Sequence, residues 1–382
     1  MVLAAGMAWA EGPEPATLPS TTAVVEQGSP SPIEPLFVRP IGGSEPGKND
    51  GNPQWSRSGF LFAFERSAGE RKEIRVQLAD GTPVQTVSHL ASGGGGEMQF
   101  FFPGVVEDIS YNAGISWSPD EFRFVFMSNG GTGNYDLFRG DLGGQGVVPL
   151  TEHKEKDGQA DWSPRSDTVV FVSGRTGKGD LYLLDVNSRA LTRLTQGGKE
   201  HLYPQWSPDG RHIAFMSGSS ENHHIAVIDD VARPAESRRR LTAWDYDDLR
   251  PVWSPDGRKI AFYSNYNPAG DPRTWSIMVV NADGSDPAEG DGLAAKAVAL
   301  DVVTDVERGP AWMPDSKRIV YVKNERHEYH PIYVVNVADR TSRPFRTETK
   351  MNHDVACAPD GTIAFRAQVD QWDRIFVARM KE

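Results

Sequence analysis

The chain has 382 residues, with 52 acidic against 40 basic side chains, a net charge of −12, and a single cysteine. The acidic balance argues against nucleic acid or an anionic membrane as a main partner, because both demand a basic surface. One cysteine excludes an internal disulfide and a cysteine-based zinc site, and no run approaches the ~20 apolar residues of a membrane-spanning helix.

The N-terminus reads first as an export signal. VLAAGMAWA (2–10) is apolar, and Ala8-Trp9-Ala10 offers a small-x-small cleavage site before Glu11. Residues 1–10 are therefore expected to be the remnant of a signal peptide, without its positive leading region, and the protein to be periplasmic or secreted. No cysteine near the start favours a lipoprotein. Residues 11–34 are rich in Pro, Ser, Thr and Glu and read as a disordered tether. Residues 35–382 read as one domain.

That domain opens on a strand-like stretch, Pro35 to Ile41. A pattern then recurs: QWSRSGFLFAF (54–64), SWSPDEFRFVFMS (116–128), DWSPRSDTVVFVS (161–173), QWSPDGRHIAFMS (205–217), VWSPDGRKIAFYS (252–264), AWMPDSKRIVYV (311–322) and ACAPDGTIAFRA (356–367). Its anchors are Trp55, Trp117, Trp162, Trp206, Trp253, Trp312 and Cys357, separated by 62, 45, 44, 47, 59 and 45 residues. Each anchor enters a turn of the Ser-Pro-Asp-Gly kind, in which Pro presets φ, Asp bonds nearby backbone and Gly accepts a positive φ. Two further short strands follow in each unit, as in DLYLLDV (180–186) and ALTRLT (190–195). Four strand-sized pieces at a period of 40–50 residues are the signature of a β-propeller. The predicted fold is all-β, with seven four-stranded antiparallel blades; a six-bladed ring with one unit as an extra sheet is the alternative. The last unit lacks a fourth strand, and an open edge would expose unpaired backbone. Pro35–Ile41 is expected to supply it and close the ring.

The unit P-x-W-S-P-D-G-x-x-I-A-F, followed by D-I-Y and R-L-T, resembles the TolB-like or PD40 (WD40-like) propeller repeat, over roughly residues 50–382. The resemblance implies a rigid ring. It is shared by periplasmic TolB-like scaffolds, peptidase propeller domains and some polysaccharide lyases, so function must be read from sites.

In this blade order the loops entering each first strand and those between second and third strands share one face, here called upper. Five residues before each anchor stand Asp50, Asn112, Asp157, His201, Asp248, Glu307 and Asn352, one per blade. They are expected to ring the channel mouth as binding groups, or else to cap the turn entering the strand. Tyr203 and Arg250, three residues before their anchors, exceed what a cap needs. With His201 they are the candidate catalytic residues. Trp244, Tyr246 and Trp275 suggest an aromatic platform beside Arg250. Imidazoles among carboxylates suit a divalent cation; His223, His327, His330 and His353 are the candidate ligands, although no cofactor is required. Two insertions, with Gly93–Gly96 and Phe100–Phe102 in the first unit and Asn265–Trp275 in the fifth, add loops.

No G-x-S-x-G, P-loop or H-E-x-x-H motif occurs. The primary reading is an exported scaffold that binds an envelope protein or peptide through its upper face. The alternative is a uronate polysaccharide lyase, in which His201 or Tyr203 acts as base and Arg250, or a histidine-bound cation, neutralises the carboxylate.

Overall fold

The computed structural model describes residues 30–381 apart from 42–44, 69–70, 89–111, 130–133, 145–146, 220–221, 267–273, 286–292, 294–295, 304–308 and 326–328. The expected signal remnant, most of the tether, the glycine and phenylalanine runs of the first insertion, Glu307 and His327 lie outside the described residues.

β1 (Pro35–Ile41) precedes seven repeating units. Blade 1 comprises β2 (Asn49–Trp55), β3 (Leu61–Ala68), β4 (Arg71–Leu78) and β5 (Pro83–Ser88). Blade 2 comprises β6 (Asn112–Trp117), β7 (Arg123–Ser128), β8 (Asp136–Asp141) and β9 (Val147–Pro149). Blade 3 follows with β10 (Asp157–Trp162), β11 (Thr168–Ser173), β12 (Asp180–Asp185) and β13 (Leu191–Arg193), and blade 4 with β14 (Glu200–Trp206), β15 (Ile213–Ser219), β16 (Asn222–Ile228) and β17 (Arg238–Arg240). Blade 5 holds β18 (Asp248–Trp253), β19 (Lys259–Ser264), β20 (Trp275–Asn281) and β21 (Ala297–Val302); blade 6 holds β22 (Ala311–Trp312), β23 (Arg318–Val322), β24 (Ile332–Asn336) and β25 (Ser342–Phe345). Blade 7 has β26 (Asn352–Cys357), β27 (Ile363–Val369) and β28 (Trp372–Met380), with β1 as its outermost strand in the order β1-β28-β27-β26. The seven-bladed propeller and its closure are as expected. β1 runs antiparallel to β28, from Pro35 opposite Met380 to Ile41 opposite Ile375. Ahead of it, Ile33 bridges to Phe345, so the entering chain touches blade 6 before it completes blade 7.

The repeated turn works as its chemistry dictates. In blade 4 the Ser207 hydroxyl donates to Asp209 at 2.6 Å, and Gly210 adopts φ +67° with its N–H on the Ser207 carbonyl. Blade 5 repeats this with Ser254, Asp256 and Gly257. Blade 2 puts Glu121 at the left-handed position, φ +59°, and its carboxylate accepts from Ser56 and Ser58 of blade 1, a cross-blade tie that offsets the strain.

Cores form between neighbouring blades. The largest runs from Val170 of blade 3 through Phe215 and Phe262 to Trp312 and Tyr321 of blade 6. The seam between blades 7 and 1 buries a smaller set that includes Phe62, Phe64, Ile375 and Val377. Cys357 stands where six blades have Trp; its sulfur lies 3.7 Å from Met313 Sδ, and burial pushes the thiol up to about 12.

Candidate functional site

The innermost strand of each blade carries the features that shape the channel wall. In six of them the register with the second strand slips just before the anchor. The residue three before the anchor takes a positive φ: Asn52 (52°), Gly114 (71°), Gln159 (51°), Tyr203 (51°), Arg250 (56°) and Asp354 (50°). Asn, Asp and Gly tolerate this region; Gln, Tyr and Arg are uncommon there. A β-bulge held in a strained conformation re-aims a side chain. Here five of the six bulged residues meet another across a blade boundary.

Between blades 3 and 4, the Tyr203 N–H donates to Gln159 Oε1 at 2.8 Å. Between blades 4 and 5, the Arg250 guanidinium lies over the Tyr203 ring, 3.4 Å from its centre. Both side chains are partly buried. The blade 6 side of Arg250 is closed, because a Cβ on Gly309 would come within 2.5 Å of the Arg250 carbonyl oxygen. Across the seam, Asp354 Oδ2 accepts the Asn52 N–H at 3.4 Å, Asp354 is ion-paired with Arg366 at 2.7 Å and its Oδ1 accepts from Arg366 Nη2 at 3.2 Å, while Arg366 also reaches Asp373. Asn52 in turn donates to Glu65 at 2.6 Å.

Five of the seven residues that stand five before the anchors lie deeper between the sheets than a channel rim requires. Asp50, Asp157, His201, Asp248 and Asn352 are at most 1% exposed. Asp50 receives Arg66 at 2.6 and 2.8 Å, and burial still pushes its carboxyl up. Asp157 receives Arg175 at 2.8 Å. His201 Nδ1 faces Asp180 Oδ1 at 3.1 Å; burial outweighs that carboxylate and lowers the imidazole pKa. Asn352 donates to the His330 carbonyl at 2.8 Å. Among the described residues no cation pairs with Asp248: Trp244 Nε1 donates to it at 3.1 Å, and burial raises its carboxyl to about 7. For Asn112 only the backbone is described; it pairs with Ser128.

The three candidate catalytic residues therefore separate into two groups. Tyr203 and Arg250 stack together on the channel wall, whereas His201 engages Asp180 of blade 3 and leans on the Phe215 ring, 5.8 Å between centres. The aromatic candidates also divide. Trp244 stacks on Phe262 at 6.3 Å, Trp275 joins the blade 3–6 core, and Tyr246 meets Tyr266 edge-on at 5.1 Å.

The histidines are similarly spread. His223 is buried between blade 4 strands and the loop to blade 5; burial works against its charge, but Asp247 at 2.8 Å and Glu200 at 3.2 Å outweigh that and raise its pKa. His224 is held down at about 4 by burial and by Arg240 and Lys199. His330 and His353 meet edge-on at 5.4 Å, with His353 lowered to about 4 by burial and Arg366. Among the described residues no three His, Cys, Asp or Glu side chains are grouped to hold a metal ion.

One set of cross-blade contacts was not anticipated. The residue just before the anchor is polar in the first four blades and bonds to the next blade. Gln54 donates to the Ile115 carbonyl, Ser116 accepts the Trp162 N–H and donates to Asp161, Asp161 accepts the Trp206 N–H, and Gln205 accepts the Trp253 N–H. The signal was available as the dipeptides Gln-Trp, Ser-Trp, Asp-Trp and Gln-Trp.

Known proteins share this fold. The TolB beta propeller domain family, PD40, matches residues 104–289. This chain is a TolB-like, PD40-type β-propeller repeat protein. Among solved structures it is similar to TolB from Acinetobacter baumannii, at 18% identity over 83% of this chain and 67% of that one, TM-score 0.51. The propeller also resembles an oligogalacturonate lyase from Vibrio parahaemolyticus, at 12% identity over 90% and 94%, TM-score 0.65. A third likeness is to the β-propeller domain of the Trilobed protease from Pyrococcus furiosus, at 12% identity over 87% and 97%, TM-score 0.55. That domain has an open velcro topology, whereas here β1 closes the ring. At these identities the likeness is one of fold. No curated protein matches the sequence.

Proposed function

We propose that this TolB-like propeller is an exported scaffold that binds an envelope protein or peptide through its upper face, with Tyr203 and Arg250 as anchors. One observation carries the reading. The stacked pair sits on strained bulges of adjacent innermost strands, with Gln159 accepting the Tyr203 N–H and Gly309 close against the Arg250 carbonyl. A pre-positioned Tyr–Arg pair is the composition of a binding hot spot. The apolar start of the sequence and its small-x-small site support export, and among the described residues no helix is long and apolar enough to cross a membrane. The test is capture from an envelope extract by immobilised protein. Wild type is expected to retain a partner that Arg250→Ala loses and that Arg258→Ala, on the opposite face, keeps. Equal retention by all three would overturn the reading.

The same pair favours one second reading, action on an acidic sugar, since a guanidinium can neutralise a carboxylate beside the Tyr203 phenol. On that reading, incubation with oligogalacturonate produces the ultraviolet absorbance of an unsaturated uronate, abolished by Tyr203→Phe. A histidine-held divalent cation belongs to this reading, and its addition would raise the rate.

A further inference from the structure

The third strands of blades 2, 3 and 4 share one position, the residue that pairs with a serine near the end of the second strand. It is Asp136 opposite Ser128, Asp180 opposite Ser173 and His224 opposite Ser217. The backbone beside it is held alike in all three. The N–H of the next residue, Leu137, Leu181 or Ile225, donates to the hydroxyl of a threonine that follows the fourth strand, Thr151, Thr195 or Thr242. In blade 3 a carboxylate completes the arrangement. Asp180 accepts from the Thr195 hydroxyl at 3.0 Å and from Arg193 Nη2 at 2.7 Å, while Arg193 Nε donates to the Thr195 carbonyl. Blade 4 repeats the arginine, as Arg240 with its Nε on the Thr242 carbonyl, but has His224 in place of the acid.

Arg240 is therefore held as Arg193 is, without the carboxylate that Arg193 meets. It is exposed, and among the described residues it forms no ion pair. Two more cations in the same condition stand near it. Arg238 lies two residues earlier on β17, on the same face and exposed, and Lys199 is exposed in the loop entering blade 4. Burial and then Arg240 and Lys199 hold the His224 imidazole at about 4, and Arg238 adds to the burial that lowers His201, so all three cations lie around these two rings. His224 itself is 9% exposed, and among the described residues its Nδ1 has no hydrogen-bond partner. A buried polar atom in that state points to a water or a ligand at the same place. On a chain of net charge −12, three exposed cations without counter-charges make a local positive field.

We infer that Arg240, Arg238 and Lys199 form an anion site beside His224 that takes a small polycarboxylate, one carboxylate of which meets Arg240 as Asp180 meets Arg193. The ligand class follows from the blade 3 template, in which the group that receives the arginine is a carboxylate. A guanidinium presents its N–H groups in a planar fork that fits such a group. The two further cations favour a ligand that carries more than one. His224 leaves room for this charge where an aspartate would already neutralise the arginine. The site lies on the outer strands of blade 4, away from the channel wall, and does not rest on the Tyr203–Arg250 reading.

Isothermal titration calorimetry with citrate, at constant ionic strength, tests it. Wild type is expected to give a saturable heat. Arg240→Gln should weaken binding at least roughly tenfold and Arg238→Gln roughly threefold. Arg211→Gln, the same loss of charge on an exposed turn of the opposite face, should leave it unchanged. His224→Asp gives blade 4 the acid of blade 3 and is expected to abolish binding. Inorganic phosphate should bind at least roughly tenfold more weakly than citrate. Glu221→Gln removes an acid that precedes β16 and lies outside the described residues, and should change the affinity by less than about twofold. No saturable heat with citrate, undiminished binding by Arg240→Gln or His224→Asp, or phosphate bound as tightly as citrate would each overturn the inference. So would a gain of about tenfold in Glu221→Gln, because the chain itself would then supply the anion.

Discussion

Two sectors of the channel wall use the same backbone device for different ends. At the seam between blades 7 and 1, the bulged residues are Asp354 and Asn52, and they belong to a network with Arg366, Asp373 and Glu65. Between blades 4 and 5, the bulged residues are Tyr203 and Arg250, and their recorded contact with each other is a stack of guanidinium on ring. The seam has a small apolar core, so polar stitching adds to closure there: Arg374 donates to the carbonyls of Lys48 and Glu45, and Asp373 N–H to Asn49. Blades 4 and 5 lie inside the largest core, so their channel residues are less needed to hold the ring. The comparison teaches that an arginine beside the bulges is a clasp in one sector, where Arg366 reaches in from the second strand, and a candidate anchor in the other.

The largest effect should come from removing the clasp altogether. Deleting Ser31–Ile41 strips the outermost strand from blade 7 and exposes the edge of β28, and differential scanning calorimetry should show a melting temperature lower by about 10 °C or more. An unchanged melt would show that closure does not rest on this strand. Next, Arg366→Ala leaves Asp354 and Asp373 without their shared cation and should cost about 2–3 kcal/mol in urea unfolding. Arg250→Ala, the same truncation in the other sector, should stay within about 0.5 kcal/mol. Equal losses would dissolve the distinction.

A pH experiment sharpens it further. The folded-state pKa of Asp248 is raised to about 7, so it contributes stability that is full below its unfolded value and is lost as pH rises through about 7. Asp248→Asn keeps an acceptor for Trp244 without the charge. The variant should gain on the order of 2 kcal/mol over wild type at about pH 8 and nothing near pH 4. A constant difference at both values would mean that Asp248 does not titrate in this range. The smallest effect concerns the bulge itself: Tyr203→Asn suits a positive φ and should leave stability within about 0.5 kcal/mol while weakening partner binding.

Much of this fold was legible in the chain. Seven anchors at near-regular spacing, six of them followed two residues later by Pro and the first by Ser-Arg-Ser-Gly, point to seven blades, and the missing fourth strand of the last unit points to Pro35–Ile41. The site was legible only in part. Asp50, Asp157, His201 and Asp248 are visible as a polar position in every unit, but spacing does not say whether such a group faces water or a buried arginine. That depends on the long-range partners Arg66, Arg175 and Asp180, whose pairing is set by the sheets. Asn52, Gly114 and Asp354 hinted at a left-handed position, whereas Gln159, Tyr203 and Arg250 in the same place concealed it. The cross-blade bonds of Ser116, Asp161 and Gln205 were hidden for another reason: three different side chains do one job.

The central claim is that the Tyr203–Arg250 pair binds a partner while the seam holds the ring. Quantitative capture of the envelope partner by Arg250→Ala, with its melting temperature measured on the same sample, tests this most directly. The account predicts retention reduced at least roughly tenfold with an unchanged melt. Undiminished retention, or a loss that merely follows a lower melt, would contradict it.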